Sequence, residues 1–143
     1  MTTNHQPLTT NVALWAPVAI YMAAIFVVSA QSDPPMPPGI PDKSLHAVAY
    51  FGLVGFVFRA VAGRLPARVT WRGAASALAI TIAYAATDEL HQLFVPGRSA
   101  DVFDLFADAI GASLGLIACW AWGIISHPKG HIPKPKSQVP DPN

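Results

Sequence analysis

The chain has 143 residues, 52% hydrophobic and 12% charged, with a formal net charge of +1. A soluble domain carries about twice that charged share, so the balance points to one domain-sized membrane protein. A near-neutral chain with no basic stripe argues against a nucleic-acid partner, and the single Cys119 excludes a disulfide framework or a cysteine-based metal site.

Residues 1–11 are polar and read as a short flexible tail. Val12 to Ala30 is nineteen residues without a charge, the length of a bilayer-crossing helix. Trp15 sits where interfacial aromatics belong, and Pro17 falls in the expected first turns. A cleaved signal peptide is the competing reading, since Val28-Ser29-Ala30 is a plausible cleavage site. The absence of Lys or Arg before the run, and the run's length, favour a retained span.

The stretch QSDPPMPPGIPDK holds Pro34, Pro35, Pro37, Pro38 and Pro41, which exclude regular helix and predict an extended loop. Asp42 is expected as the N-cap of a second span over 44–63. His46 and Tyr50 are four apart and share a face. Gly52 and Gly55 permit close helix approach, and Arg59 lies near the far end, where it can snorkel. A basic loop follows, then a third span over 73–94 that ends in Asp88, Glu89, His91 and Gln92. Pro96-Gly97 predicts a turn. Asp101 opens a fourth helix over 102–125. Residues 127–143 are rich in Pro and Lys and read as a disordered tail. The expected domain is therefore 12–126, an all-α, integral-membrane four-helix bundle.

Four spans put both termini on one side. Arg59, Arg64, Arg68, Arg72, Lys129, Lys134 and Lys136 then share a face, and the other keeps only Lys43 and Arg98. The excess of positive charge makes the first face cytoplasmic, with both termini. The acids distribute oppositely, so Asp42 to Tyr50 and Asp88 to Asp108 are expected to meet in one outward polar site.

At these residues the chain resembles the VanZ-like family of small bacterial membrane proteins, named after a teicoplanin-resistance accessory protein. The resemblance rests on Ser29-x-Gln31, Asp42-Lys43-x-x-His46-x-x-x-Tyr50, Glu89-x-x-Gln92, Pro96-Gly97-Arg98-x-x-Asp101-x-x-Asp104 and Gly111-x-x-x-Gly115, and covers roughly Ala13 to Trp120. Asp108 departs from it, standing where the family usually has Asn. The resemblance implies a place in the bacterial cell membrane and envelope and an effect on glycopeptide susceptibility. It supplies no reaction.

Asp101, Asp104, Asp108, Gly111 and Gly115 recur at three- and four-residue steps and form one stripe. Pointing inward, it places acids at the mouth and glycines deeper for helix packing. Capping explains Asp101 alone; Asp108 lies about 10 Å below the helix start and needs a partner or a use. Arg98 is read either as a fork for phosphate or carboxylate or as a salt bridge to Asp104 or Glu89. His46 and Glu89 are the candidate general bases of an enzyme reading. His46, Glu89, His91 and the aspartates supply N and O ligands, but no HExxH spacing exists and Glu89-Leu90-His91 splits its ends between faces, so no metal and no cofactor is assigned.

Three functions follow. The first is recognition of an anionic lipid-linked or cell-wall-related headgroup, such as a lipid-linked envelope precursor. Arg98 and Lys43 contact the anion, while Glu89, Gln92, Asp104 and Asp108 orient the cations or the ligand. The second is a membrane-embedded acid–base or metal-assisted enzyme acting on a lipid-linked substrate. The third is a structural or partner subunit whose charges only lock the bundle. Transport is disfavoured, because no interrupted span or repeat is present.

Overall fold

The computed structural model describes residues 8–34, 37–63 and 69–126, with side chains described between 11 and 123 of these. The expected tails up to residue 7 and from 127, Pro35, and the 64–68 loop with Arg64 and Arg68 lie outside the described residues. The chain forms four helices: α1 (Leu8–Ser29), α2 (Asp42–Val61), α3 (Trp71–Gln92) and α4 (Val102–Ser126). No strand occurs among the described residues.

Three helices contain stretches long and apolar enough to cross a membrane: Asn11–Ser29, Asp42–Val61 and Val102–Gly123. The third helix is not among them, although its 22 residues give about 33 Å of helix. The reason is an inner stripe that turns polar. Ala77, Thr81, Ala85, Asp88, Glu89 and Gln92 are its buried residues, so its polar groups face protein rather than lipid. Opposite faces elsewhere are apolar and outward. On α4, Phe103, Phe106, Ile110, Leu114 and Ile117 are exposed, while Asp104, Asp108, Gly111 and Gly115 are buried.

The second helix is central. It contacts each of the other three, most extensively α4, whereas α1 barely touches α3 and does not reach α4. Its Tyr50, Leu53, Val54, Val57 and Phe58 are buried and lead the apolar core. The α2–α4 contact is set by glycine. A Cβ on Gly111 would collide with the Ala47 carbonyl, and one on Gly115 would lie 2.6 Å from the Phe51 oxygen. Small residues let the two backbones meet in this way. Gly52 faces the Tyr21 ring, but nothing lies within 4 Å of a Cβ on Gly55, so Gly55 mediates no close approach.

Three helix starts differ from expectation. The first helix begins at Leu8, so Pro17 stands inside it. Proline has no N–H to give the carbonyl four residues back; that carbonyl belongs to Ala13, and Arg59 Nη1 donates to it at 3.5 Å. Arg59 thus repairs a helix defect. Pro41, not Asp42, occupies the N-cap of α2, with ψ 142° and no side-chain cap bond. Its carbonyl still accepts from Ser44 N at 3.0 Å, and Asp42 falls in the first turn, where a negative charge suits the helix dipole. The third helix starts at Trp71 behind a Thr70 cap, whose hydroxyl accepts from Gly73 N at 3.2 Å.

Candidate functional site

All the side-chain pairs that matter lie at one end of the bundle, where α1 and α3 finish and α2 and α4 begin. Asp101 caps α4 by accepting from Phe103 N at 2.8 Å. Lys43, on the first turn of α2, donates to Asp101 at 2.7 Å and to Asp104 at 2.8 Å. The ammonium beside it and the capping N–H hold the Asp101 carboxyl below the usual aspartate range. Glu89 Oε2 accepts the Asp101 backbone N–H at 3.0 Å, which ties the end of α3 to the start of α4.

Deeper in, His46 Nδ1 meets Asp108 Oδ1 at 3.0 Å and lies 4.0 Å from Glu89 Oε1. An ionised Asp108 only accepts, and the proton of the pair is then on Nδ1. Asp108 is 1% exposed, and its second oxygen has no partner among the described residues. On the far side of α3, Ser29 Oγ donates to Asp88 Oδ1 at 2.6 Å, both buried.

Arg98 departs from both partners expected for it. The Val95–Arg98 turn, with Gly97 at φ 82° and Arg98 N bonded to Val95 O at 3.1 Å, has the form of a type II turn. It brings the guanidinium back onto Gln92, whose Oε1 accepts from Nε at 3.2 Å and from Nη2 at 2.9 Å. Gln92 in turn donates to Glu89 at 3.3 Å. Among the described residues no carboxylate lies within salt-bridge distance of Arg98. Asp104 is engaged by Lys43 and Glu89 by a backbone N–H, so neither forms the expected Arg98 salt bridge.

A cavity of about 360 Å³ adjoins these pairs. It is lined by residues of α1 and the first turns of α2, with Asp88 of α3 and Arg98. Tyr21, Ala24, Ile25, Val28, Leu45 and Ala49 give it apolar walls, and Ser29, Asp42, His46, Tyr50, Asp88 and Arg98 give it polar ones. The Tyr50 hydroxyl is buried without a partner. Small-molecule sites have this make-up, apolar with a few convergent polar groups.

Of the sequence-derived candidates, the cavity thus collects Asp42, His46, Tyr50 and Arg98. Lys43, Asp101 and Asp104 form a separate ion-paired group beside it, and Lys43 does not line the cavity. Glu89 and Asp108 stand on the other side of His46. His91 is not in the site at all; its ring stacks on Phe26 with centroids 4.3 Å apart. Two residues outside the candidate set, Ser29 and Asp88, belong to the wall. Ser29 stood in the motif at the end of the first span, but its pairing with Asp88 spans 59 residues and has no local signal.

The fold and site define an all-α membrane protein whose polar groups gather at one end of an apolar bundle. A model of the VanZ/LLP1 family matches residues 2–125, and the chain belongs to that family. No curated protein and no solved structure shows significant similarity to it.

Proposed function

We propose that the cavity binds the anionic headgroup of a lipid-linked or cell-wall-related molecule at the outer face of the bacterial cytoplasmic membrane, and that this binding alters glycopeptide susceptibility. One observation carries the reading. Arg98 lies at the wall of an apolar cavity, held by the neutral Gln92 and by no carboxylate among the described residues. A guanidinium so positioned has donors left for phosphate or carboxylate. The apolar walls suit the attached chain of a lipid.

The roles divide differently from the sequence-based assignment. Arg98 alone grips the anion, with Gln92 orienting it. Lys43, Asp101 and Asp104 lock α2 to α4, the role that the structural reading gave to the whole cluster. The orientation rests on charge: Arg59 and Arg72 lie at the end opposite the cavity, and the excess of Lys and Arg in the sequence of the 59–72 segment and the C-terminal tail assigns that face, with both termini, to the cytoplasm across four spans that include α3.

The test uses the full chain in nanodiscs, titrated with a polyprenyl phosphate and with the uncharged polyprenol. Arg98→Ala should weaken phosphate binding about tenfold or more, the cost of a lost charge-assisted pair, and leave polyprenol binding unchanged. Arg98→Lys should recover part of it. Cells carrying Arg98→Ala should lose the effect on teicoplanin susceptibility. Equal binding of phosphate by wild type and Arg98→Ala would remove the basis for the proposal.

A further inference from the structure

The trio His46, Glu89 and Asp108 is built unlike the other polar pairs. Each side chain comes from a different helix, α2, α3 and α4, and they meet in the bundle interior with side-chain exposures of 10%, 8% and 1%. One ligand-type atom from each lies within 4.8 Å of the other two. For N and O ligands at about 2.0–2.2 Å from an ion, neighbouring ligand atoms stand roughly 3.0–3.6 Å apart. The observed separations of 3.0 Å and 4.0 Å from Nδ1 bracket that range, and a shift of a few tenths of an ångström brings Glu89 to ligand distance from the histidine nitrogen.

Charge gives an independent reason. Two carboxylates face one imidazole in a place with little water. Of the nearby cations, Lys43 is taken by Asp101 and Asp104, and Arg98 bonds the neutral Gln92 without reaching salt-bridge distance of either carboxylate. With both acids ionised, even an imidazolium leaves one carboxylate uncompensated, and a buried lone charge is costly. A dication supplies both.

The third reason is an orphan. Asp108 Oδ2 is buried without a hydrogen-bond partner among the described residues, although buried carboxylate oxygens are normally satisfied. Asp108 therefore carries an idle oxygen on the same carboxyl group whose Oδ1 meets His46. The second possible trio, Asp42, His46 and Asp104, lacks this feature, because Asp104 already receives Lys43.

We propose that His46, Glu89 and Asp108 form a binding site for a divalent transition-metal ion of the zinc or manganese type. One imidazole nitrogen and two carboxylate oxygens form a borderline donor set of the kind such ions take. The ion takes the place of the Nδ1 proton, which leaves to water from an imidazolium or passes to Nε2 in the neutral ring, so that the ligand is neutral imidazole. Three protein ligands leave at least one coordination position open, and His46 also lines the cavity, so its ring stands between the cavity and the ion. No spacing motif announces this site, because no two ligands share a helix. It stands apart from the anion grip: Arg98 is not a ligand, and the metal is probed without any phosphate present.

The experiment takes the full chain in detergent micelles, stripped with a chelator and dialysed. Mn²⁺ is followed by loss of its free-ion EPR signal, and Zn²⁺ by calorimetric titration. Wild type should bind one ion per chain and melt at a higher temperature when loaded. Asp108→Asn and Glu89→Gln keep the side-chain shapes, and each should weaken binding roughly tenfold or more, since losing even an outer-shell partner costs that much. Ser113→Ala, whose hydroxyl only bonds the Ala109 carbonyl, should bind as wild type does. If wild type shows no saturable uptake of either ion, the proposal is overturned. It is overturned equally if a folded Asp108→Asn or Glu89→Gln binds as tightly as wild type, or if only Ca²⁺ or Mg²⁺ is bound.

Discussion

The two ends of the bundle are held by different means. At the polar end, Lys43, His46, Ser29 and Gln92 each bond a carboxylate, and all but Gln92 do so between helices. At the basic end the described inter-helix polar contact is Arg59 reaching the Ala13 carbonyl. Between the ends, Leu53, Val54, Val57, Ala77, Ala85 and Ala112 are wholly buried and apolar. Packing therefore dominates through the middle, where the Tyr84 hydroxyl donates to the Met22 carbonyl at 2.6 Å as the described inter-helix hydrogen bond. The described ion pairs all lie at one end, and the proposed anion grip and ion site lie with them.

The comparison can be broken most forcefully in the packed middle. Gly111→Val forces a side chain against the Ala47 carbonyl, a backbone atom that cannot swing away. The cost should reach about 3 kcal/mol or more, read as loss of folded protein in a detergent thermal-melt assay. Gly55→Ala, with open space around it, should instead hold or raise the melting temperature. Equal losses in both would show that glycine is required in α2 and α4 for reasons other than contact.

A smaller effect is expected at the basic end. Arg59→Ala exposes the Ala13 carbonyl that Pro17 leaves unbonded, and should cost about 1 kcal/mol. In a Pro17→Ala background residue 17 regains its N–H and fills that carbonyl itself, so Arg59→Ala should then cost little. A double-mutant cycle measures the coupling; a coupling of zero would mean that Arg59 does not repair the helix.

The smallest effect is at the exposed edge of the polar end. Asp101 has its carboxyl held below the ordinary aspartate value of 3.8 by Lys43 and the Phe103 N–H. Its contribution to stability is therefore present at pH above that value and is lost as pH falls through the lower folded-state value. Its side chain is 37% exposed, so the change is modest and should shrink with added salt. The melting temperature should fall more steeply with acid in wild type than in Asp101→Asn. Parallel pH profiles would assign the acid sensitivity to the buried acids.

Much was legible in the residues themselves. Unbroken apolar runs of bilayer length admit few structures other than helices, because backbone groups in lipid must bond within their own segment. The inward stripe of Asp104, Asp108, Gly111 and Gly115 followed from steps of three and four, since helical periodicity is local. The cap was misassigned at Asp42 because a proline carbonyl can open a helix as well as a side chain can close one. The third helix looked like an ordinary span, and its acids turn inward only because α2 and α4 are there to receive them.

The amino-acid order thus determined the class, the helices and the end at which polar chemistry gathers, all from interactions within a few turns of chain. Tertiary structure alone decided the partners. It gave Lys43 to Asp101 and Asp104, Asp88 to Ser29 and Asp108 to His46, and it left Arg98 with only the neutral Gln92. All of these but the Arg98–Gln92 pair span 58 to 62 residues of sequence, and depend on how closely two helices approach. That distance is set where Gly111 meets Ala47, by the one side chain that is not there.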